Sequence, residues 1–270
     1  MKSQRDRHYL HRILHGVFML LVFVGGASLA ETSEEKGLAI AQESDKRDTG
    51  WGDYETAATM TLRNRHGDES IRELSIRYLE READGDMALV IIHRPNDVKG
   101  TALLTHTHKT DPDDQWLFLP ALKRVKRISS SNKSGPFMGS EFAYEDMGSQ
   151  EVEKHTYTYL RDESLDGATC YVIERIPVDT KSGYTRQVAW IDHNEYRVLK
   201  VDYYDRKSSL LKTLTVDGFE QYLNKYWRAG RLNMVNHQTG KSTEMRWTNT
   251  EFQKGFTARD FDRNSLARVK

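Results

Sequence analysis

The sequence predicts a mainly β fold: a strongly curved antiparallel sheet of about a dozen strands, with a few helices or a flap closing its concave side. Three observations predict it. Apolar and polar residues alternate in short segments along most of the chain, as strands with one buried face require. Turn-forming Gly, Asp, Asn and Pro clusters separate these segments by only a few residues, so consecutive strands pair antiparallel. Around a dozen strands in one domain then favour curvature, because twisted open sheets of more than about ten strands curl or split.

Residues 1–30 have the grammar of a secretory signal. Lys2, Arg5, Arg7 and Arg12 form a basic leader, Ile13 to Val24 an apolar stretch, and Ala27 to Ala30 a small-residue cleavage site. The apolar stretch falls short of the roughly 20 residues a membrane-spanning helix needs. Glu31 rather than Cys follows the expected cut, so no lipobox is present and a soluble periplasmic protein is expected. Without residues 1–30 the chain carries 36 basic and 39 acidic side chains, a formal charge of −3. That balance argues against a polyanion-binding protein. Cys170 stands alone, so an intramolecular disulfide is excluded. Residues 31–270 are long enough to bury one sizeable core, and a single domain is expected.

Thr32 to Asp48, with Leu38, Ile40 and Ala41, reads as a polar N-terminal helix capped by Ser33. Strands follow at residues 54–64, 70–81, 86–94 and 101–109, separated by the turn sequences HGDE, ADGD and RPNDVKG. Ala88 to Ile92 is apolar on both faces and belongs in mid-sheet, covered on each side. The second half continues with strands at 153–161, 169–178, 184–193, 197–205, 210–219, 231–237 and 241–252, and residues 257–268 form a terminal helix or strap.

The sheet is organised around residues 114–147. Asp114 to Pro120 places Trp116 and Phe118 on one side of a strand and Leu117 and Leu119 on the other, both apolar, and Pro120 closes it. The next strand carries Lys123, Arg124, Lys126 and Arg127, which cannot all be buried without anions; it is a charged edge strand or a contact for an anion or partner. A polar joint ending at Gly135 and Pro136 leads to Phe137, Met138, Phe142 and Tyr144 among Glu141, Glu145 and Asp146, an apolar flap that covers a groove or plugs the core.

The segment WLFLPALKRVKRIS at 116–129, followed by FMGSEFAYEDM at 137–147, resembles the LolA-like outer-membrane lipoprotein-sorting protein family. Phe118 and Glu141 stand where that pattern often has Tyr and Asp. VKGTALL at 98–104, GYTRQVAWID at 183–192 and NHQTGKST at 236–243 extend the similarity to roughly residues 36–268. The resemblance implies a LolA/LolB-like half-barrel in the periplasm that holds lipid or lipoprotein acyl chains, and brings no catalytic residue with it.

A carrier of this kind has a simple energetic basis. Each buried methylene is worth ~0.8 kcal/mol, so a chain of about sixteen carbons costs on the order of 12 kcal/mol in water. On this reading Trp116 and Phe118 line the groove, Phe137, Met138, Phe142 and Tyr144 form a lid, and Lys123, Arg124, Lys126 and Arg127 meet a head group or an acidic partner. Aromatic residues on strands are more often plain core, which is the competing reading for these side chains. A second function class is an accessory docking protein of an envelope export system of the RND type, without lipid cargo.

Enzyme chemistry has little support. His106 and His108, with Asp111, Asp113 and Asp114, could begin a metal site, but two His on one strand are also ordinary polar alternation. No zinc-protease, nucleophile-elbow, phosphate-loop or dinucleotide motif occurs, so no cofactor is expected. Cys170 sits in an apolar strand and reads as inert core. The basic strand beside Trp116 could suit nucleic acid, yet the signal and the negative charge oppose it. The expectation is a monomeric, non-catalytic carrier whose partners are acyl chains, a membrane transporter or an outer-membrane acceptor.

Overall fold

A computed structural model of the chain describes residues 31–269. The expected secretory signal, residues 1–30, lies outside the described residues. Helix α1 spans Ser33–Arg47. Its N-cap is Thr32 rather than the expected Ser33. Thr32 Oγ1 accepts from Glu35 N while Thr32 N donates to Glu35, a capping box that needs the acid three residues on. Gly37, Ile40 and Ala41 form the buried face, and Leu38 is exposed.

Six strands follow: β1 (Asp53–Arg63), β2 (Glu69–Leu79), β3 (Met87–Arg94), β4 (Ala102–His106), β5 (Asp114–Leu119) and β6 (Arg124–Ile128). The second half holds β7 (His155–Leu165), β8 (Ala168–Pro177), β9 (Arg186–Asp192), β10 (Val198–Tyr204) and β11 (Leu210–Asp217). A short hairpin, β12 (Glu220–Tyr222) with β13 (Tyr226–Arg228), precedes β14 (Arg231–Asn236) and β15 (Ser242–Phe252). Only this hairpin was unforeseen, since three-residue strands are too short to show alternation.

Thirteen strands form one curved antiparallel sheet in the order β6-β5-β4-β3-β2-β1-β15-β14-β11-β10-β9-β8-β7. The first six walk outward from the middle to one edge. The chain then starts again at the opposite edge, β7, and walks back to β15, which closes against β1. Residues 129–154 therefore connect one sheet edge to the other. A link between the two edges of a curved sheet has its shortest route across the open side, and that places the flap where the groove is.

Both faces are covered. Inward-facing Met60, Leu74, Ile76, Val90, Leu103, Leu117, Ile173, Val201, Met234 and Met245 form the main core with α1 and the flap. On the outer face, Met87, Leu89, Ile91, Leu104 and Trp116 pack under Phe261 and Leu266 of the C-terminal strap, two short turns at Ala258–Phe261 and Arg263–Arg268. The apolar run in β3 is explained by these two cores, with Val90 in one and Leu89 and Ile91 in the other. Among the described residues no helix is long and apolar enough to cross a membrane.

Candidate functional site

A cavity of about 1080 Å³ lies between the concave sheet face, α1 and the flap. It exceeds the ~300–1,000 Å³ of ordinary small-ligand pockets. Its apolar wall residues are Ile76 and Val90 from one half of the sheet, Val201, Leu214 and Met245 from the other, and Phe142 from the flap, set among many polar and charged ones. Tyrosines fill the spaces between. Burial pushes the hydroxyls of Tyr78 and Tyr157 up to about 12, so both present neutral groups to the interior.

Charge gathers at the mouth. Asp45 and Asp48 at the end of α1, Glu80 and Asp86 between β2 and β3, and Glu151 beyond the flap all border the opening. Arg228 pairs with Asp48 there, with its guanidinium 5.2 Å from the ring of Tyr54 and 5.4 Å from Trp51. Burial, with Glu151, Glu80 and Asp48 adding like charge, pushes the Asp86 carboxyl up to about 7 although Arg81 N donates to it.

This shift has a definite sign. An unfolded Asp ionises near 3.9. The folded protein therefore holds the extra proton between about pH 4 and 7, and stability falls with rising pH across that window and stays reduced above it. Asp86→Asn is expected to match the natural protein near pH 4. At pH 8 it should be more stable by about 1–2 kcal/mol, a value reduced for solvent screening of a half-buried group. Urea unfolding at the two pH values checks this; equal gains at both would mean that Asp86 ionisation plays no part.

The flap is pinned rather than loose. Lys212 Nζ on β11 donates to Asp146 Oδ2 and to Glu141 O, both at 2.8 Å, with the Lys and Asp side chains 4% and 8% exposed. Tyr184 Oη donates to the same carboxylate at 2.9 Å, and Ala143 N donates to it at 2.7 Å. Glu145 accepts from Ser182 Oγ and Gly183 N, Glu141 N donates to Thr243 Oγ1, and Arg72 donates to Met138 O. The acidic residues of the flap are its anchors.

Against this geometry the expected site residues separate. Trp116 and Phe118 face outward beneath the strap, and the expectation that they line the groove is corrected. Strand alternation presents Gln115, Leu117 and Leu119 to the inside instead, with Leu117 opposite Leu103 of β4 and Gln115 opposite Thr105. Phe142 borders the cavity. Phe137 is 1% exposed and wedged between flap and sheet, Tyr144 meets its ring edge-on at 5.9 Å, and Met138 packs against the same core; these three secure the flap and do not line the cavity. Lys123, Arg124, Lys126 and Arg127 stand on the exposed edge of the sheet, with Arg127 paired to Asp114 and none of them bordering the cavity.

His106 and His108 do not converge. β4 ends at His106, whose Nε2 bonds to Phe261 O at 2.8 Å, while His108 Nδ1 bonds to Asp84 at 2.8 Å. Among the described residues no cluster of three His, Cys, Asp or Glu is placed to hold a metal ion. Cys170 is fully buried in a small outer core with Val172, Val188 and Trp190. Arg175, Lys212 and Arg228 escaped the sequence reading, since each looks like an ordinary outward-facing strand cation until register and partners are known.

The fold and the site together define a class: an open, curved antiparallel half-barrel whose concave side is closed by a helix and an anchored flap over a cavity of mixed apolar and polar lining. A family model described as an uncharacterized protein matches residues 84–268. A domain described as outer membrane lipoprotein-sorting, from Vibrio parahaemolyticus, is similar at 55% identity over 87% of this chain and all of its own, with a TM-score of 0.86. A DUF1329 family protein from Desulfovibrio piger matches at 29% identity over 87% of this chain and 99% of its own, TM-score 0.82. A LolA superfamily protein from Nitrosomonas europaea shares the fold at 19% identity over 84% of this chain and 98% of its own, TM-score 0.68. The curated proteins contain no match. The chain belongs to the LolA-like outer-membrane lipoprotein-sorting protein family.

Proposed function

We propose that this protein is a periplasmic, non-catalytic carrier that holds the acyl chains of a lipoprotein or lipid in its cavity and passes them toward the outer membrane. The observation that carries this reading is the cavity itself, about 1080 Å³ with an apolar sheet wall and a flap anchored above it. Burying a tail of about sixteen carbons there offsets on the order of 12 kcal/mol of exposure to water. Its likeness to the lipoprotein-sorting domain of Vibrio parahaemolyticus supports the same reading. Residues 31–270 act as one monomeric domain after removal of residues 1–30. The exposed cations of β6 meet head groups or an acidic surface of a membrane transporter or outer-membrane acceptor during transfer.

The test is native mass spectrometry of the protein purified from a periplasm, beside Leu214→Trp, which fills the cavity from its wall. The natural protein is expected to carry acyl-chain adducts, and the folded variant to lose them. A natural protein that stays empty when lipids are offered would overturn the carrier and favour a docking protein of an envelope export system.

A further inference from the structure

Arg175 is a buried cation without an anion. It lies on β8, where alternation places Tyr171, Ile173 and Arg175 on the inner face, and it is 9% exposed. It borders the cavity, and its Nε is buried with no hydrogen-bond partner. Among the described residues no carboxylate pairs with it, whereas buried Lys212 and partly buried Arg228, which also border or face the interior, are paired with Asp146 and Asp48. Cross-strand register sets it opposite Tyr157 on one side and Gln187 on the other, and the Gln187 Oε1 is itself buried without a partner.

An uncompensated buried charge costs several kcal/mol, so a site that keeps one is built to receive its counterion. An internal bond from Arg175 to Gln187 would satisfy one of five N–H donors and leave the charge unmatched. His155, close by, is held neutral: burial first and the charge of Arg175 second push its imidazole down to about 3. Glu151 at the mouth is engaged by Ser149 Oγ at 2.6 Å.

We propose that the cavity takes an amphiphile with an anionic head, carboxylate or phosphate, which Arg175 binds through its guanidinium while the chain lies along Ile173, Val201 and Leu214. This rests on the carrier reading and narrows its cargo, since a purely apolar chain would leave Arg175 unmatched. A guanidinium is suited to the task because its planar fork matches both anions bidentately.

The experiment is calorimetric titration of the delipidated protein with decanoate, decyl phosphate and 1-decanol, for the natural protein and Arg175→Met. Both anions are expected to bind the natural protein about 10–100-fold more tightly than the alcohol, the range of a charge-assisted hydrogen bond. Arg175→Met should bind the alcohol as well as the natural protein does and lose the preference. The better of the two anions distinguishes a fatty-acid head from a phospholipid head. Equal binding of all three ligands by the natural protein, or an undiminished preference in the variant, overturns the proposal while leaving the carrier intact. Failure of all three to bind removes the carrier and this proposal together. Should Arg175→Met fail to bind the alcohol because it misfolds, Arg175→Gln, which retains side-chain donors without the charge, takes its place.

Discussion

Lys212→Met is expected to destabilise the protein by about 3–5 kcal/mol, the cost of leaving a buried carboxylate without its cation. The side chains of Lys212 and Asp146 are 4% and 8% exposed, and the ammonium also holds Glu141 O, so one substitution releases the flap at two points. The remaining donors to Asp146, Tyr184 Oη and Ala143 N, solvate the carboxylate without neutralising it. Lys212→Met combined with Asp146→Asn should recover much of the loss, because a neutral amide can accept from Tyr184 without a buried charge. Urea unfolding measures the stability, and limited proteolysis across residues 137–152 reports flap release. A single variant within 1 kcal/mol of the natural protein, with its flap equally resistant, would mean that the ion pair is not what holds the flap.

Gly37→Ala is the second large effect, and its sign is the informative part. On an exposed helix face the change stabilises by about 1 kcal/mol, since Ala is the better helix former. Here a Cβ would stand 2.7 Å from Tyr159 N and 2.8 Å from Thr158 C, both backbone atoms of β7 that cannot swing aside. The helix must lift, taking Ile40 and Ala41 out of the core and straining the bond from Ser44 Oγ to Tyr196 O. A net loss of about 1–3 kcal/mol is expected, the usual cost of overpacking. Hydrogen exchange should show faster opening across residues 33–47, and the cavity should lose the wall that α1 supplies. A gain in stability would place α1 farther from β7 than the structure has it.

Much of the fold was legible because strands announce themselves locally. The alternation in residues 54–62 and 74–79 and the turn sequences at 66–69 and 83–86 located β1 to β3 within two residues of their observed ends. Curvature followed from strand number alone. Which face of a strand points inward is a different matter, and for β5 it was undecidable locally. Trp116 and Phe118 are as apolar as Leu117 and Leu119, and the strap supplied a second core that no local pattern reveals. Lys212 and Asp146 meet across 66 residues, and their neighbours in the chain give no sign of it.

By itself the sequence determined the strands of the main sheet, their antiparallel pairing, the curvature and the flap, because backbone periodicity and turn chemistry act over a few residues. Only the tertiary structure decided the inward face of β5, the anchors of the flap and the isolation of Arg175. Those depend on register and on charges brought together from distant strands, where burial turns an ordinary surface cation into a buried one that must be matched.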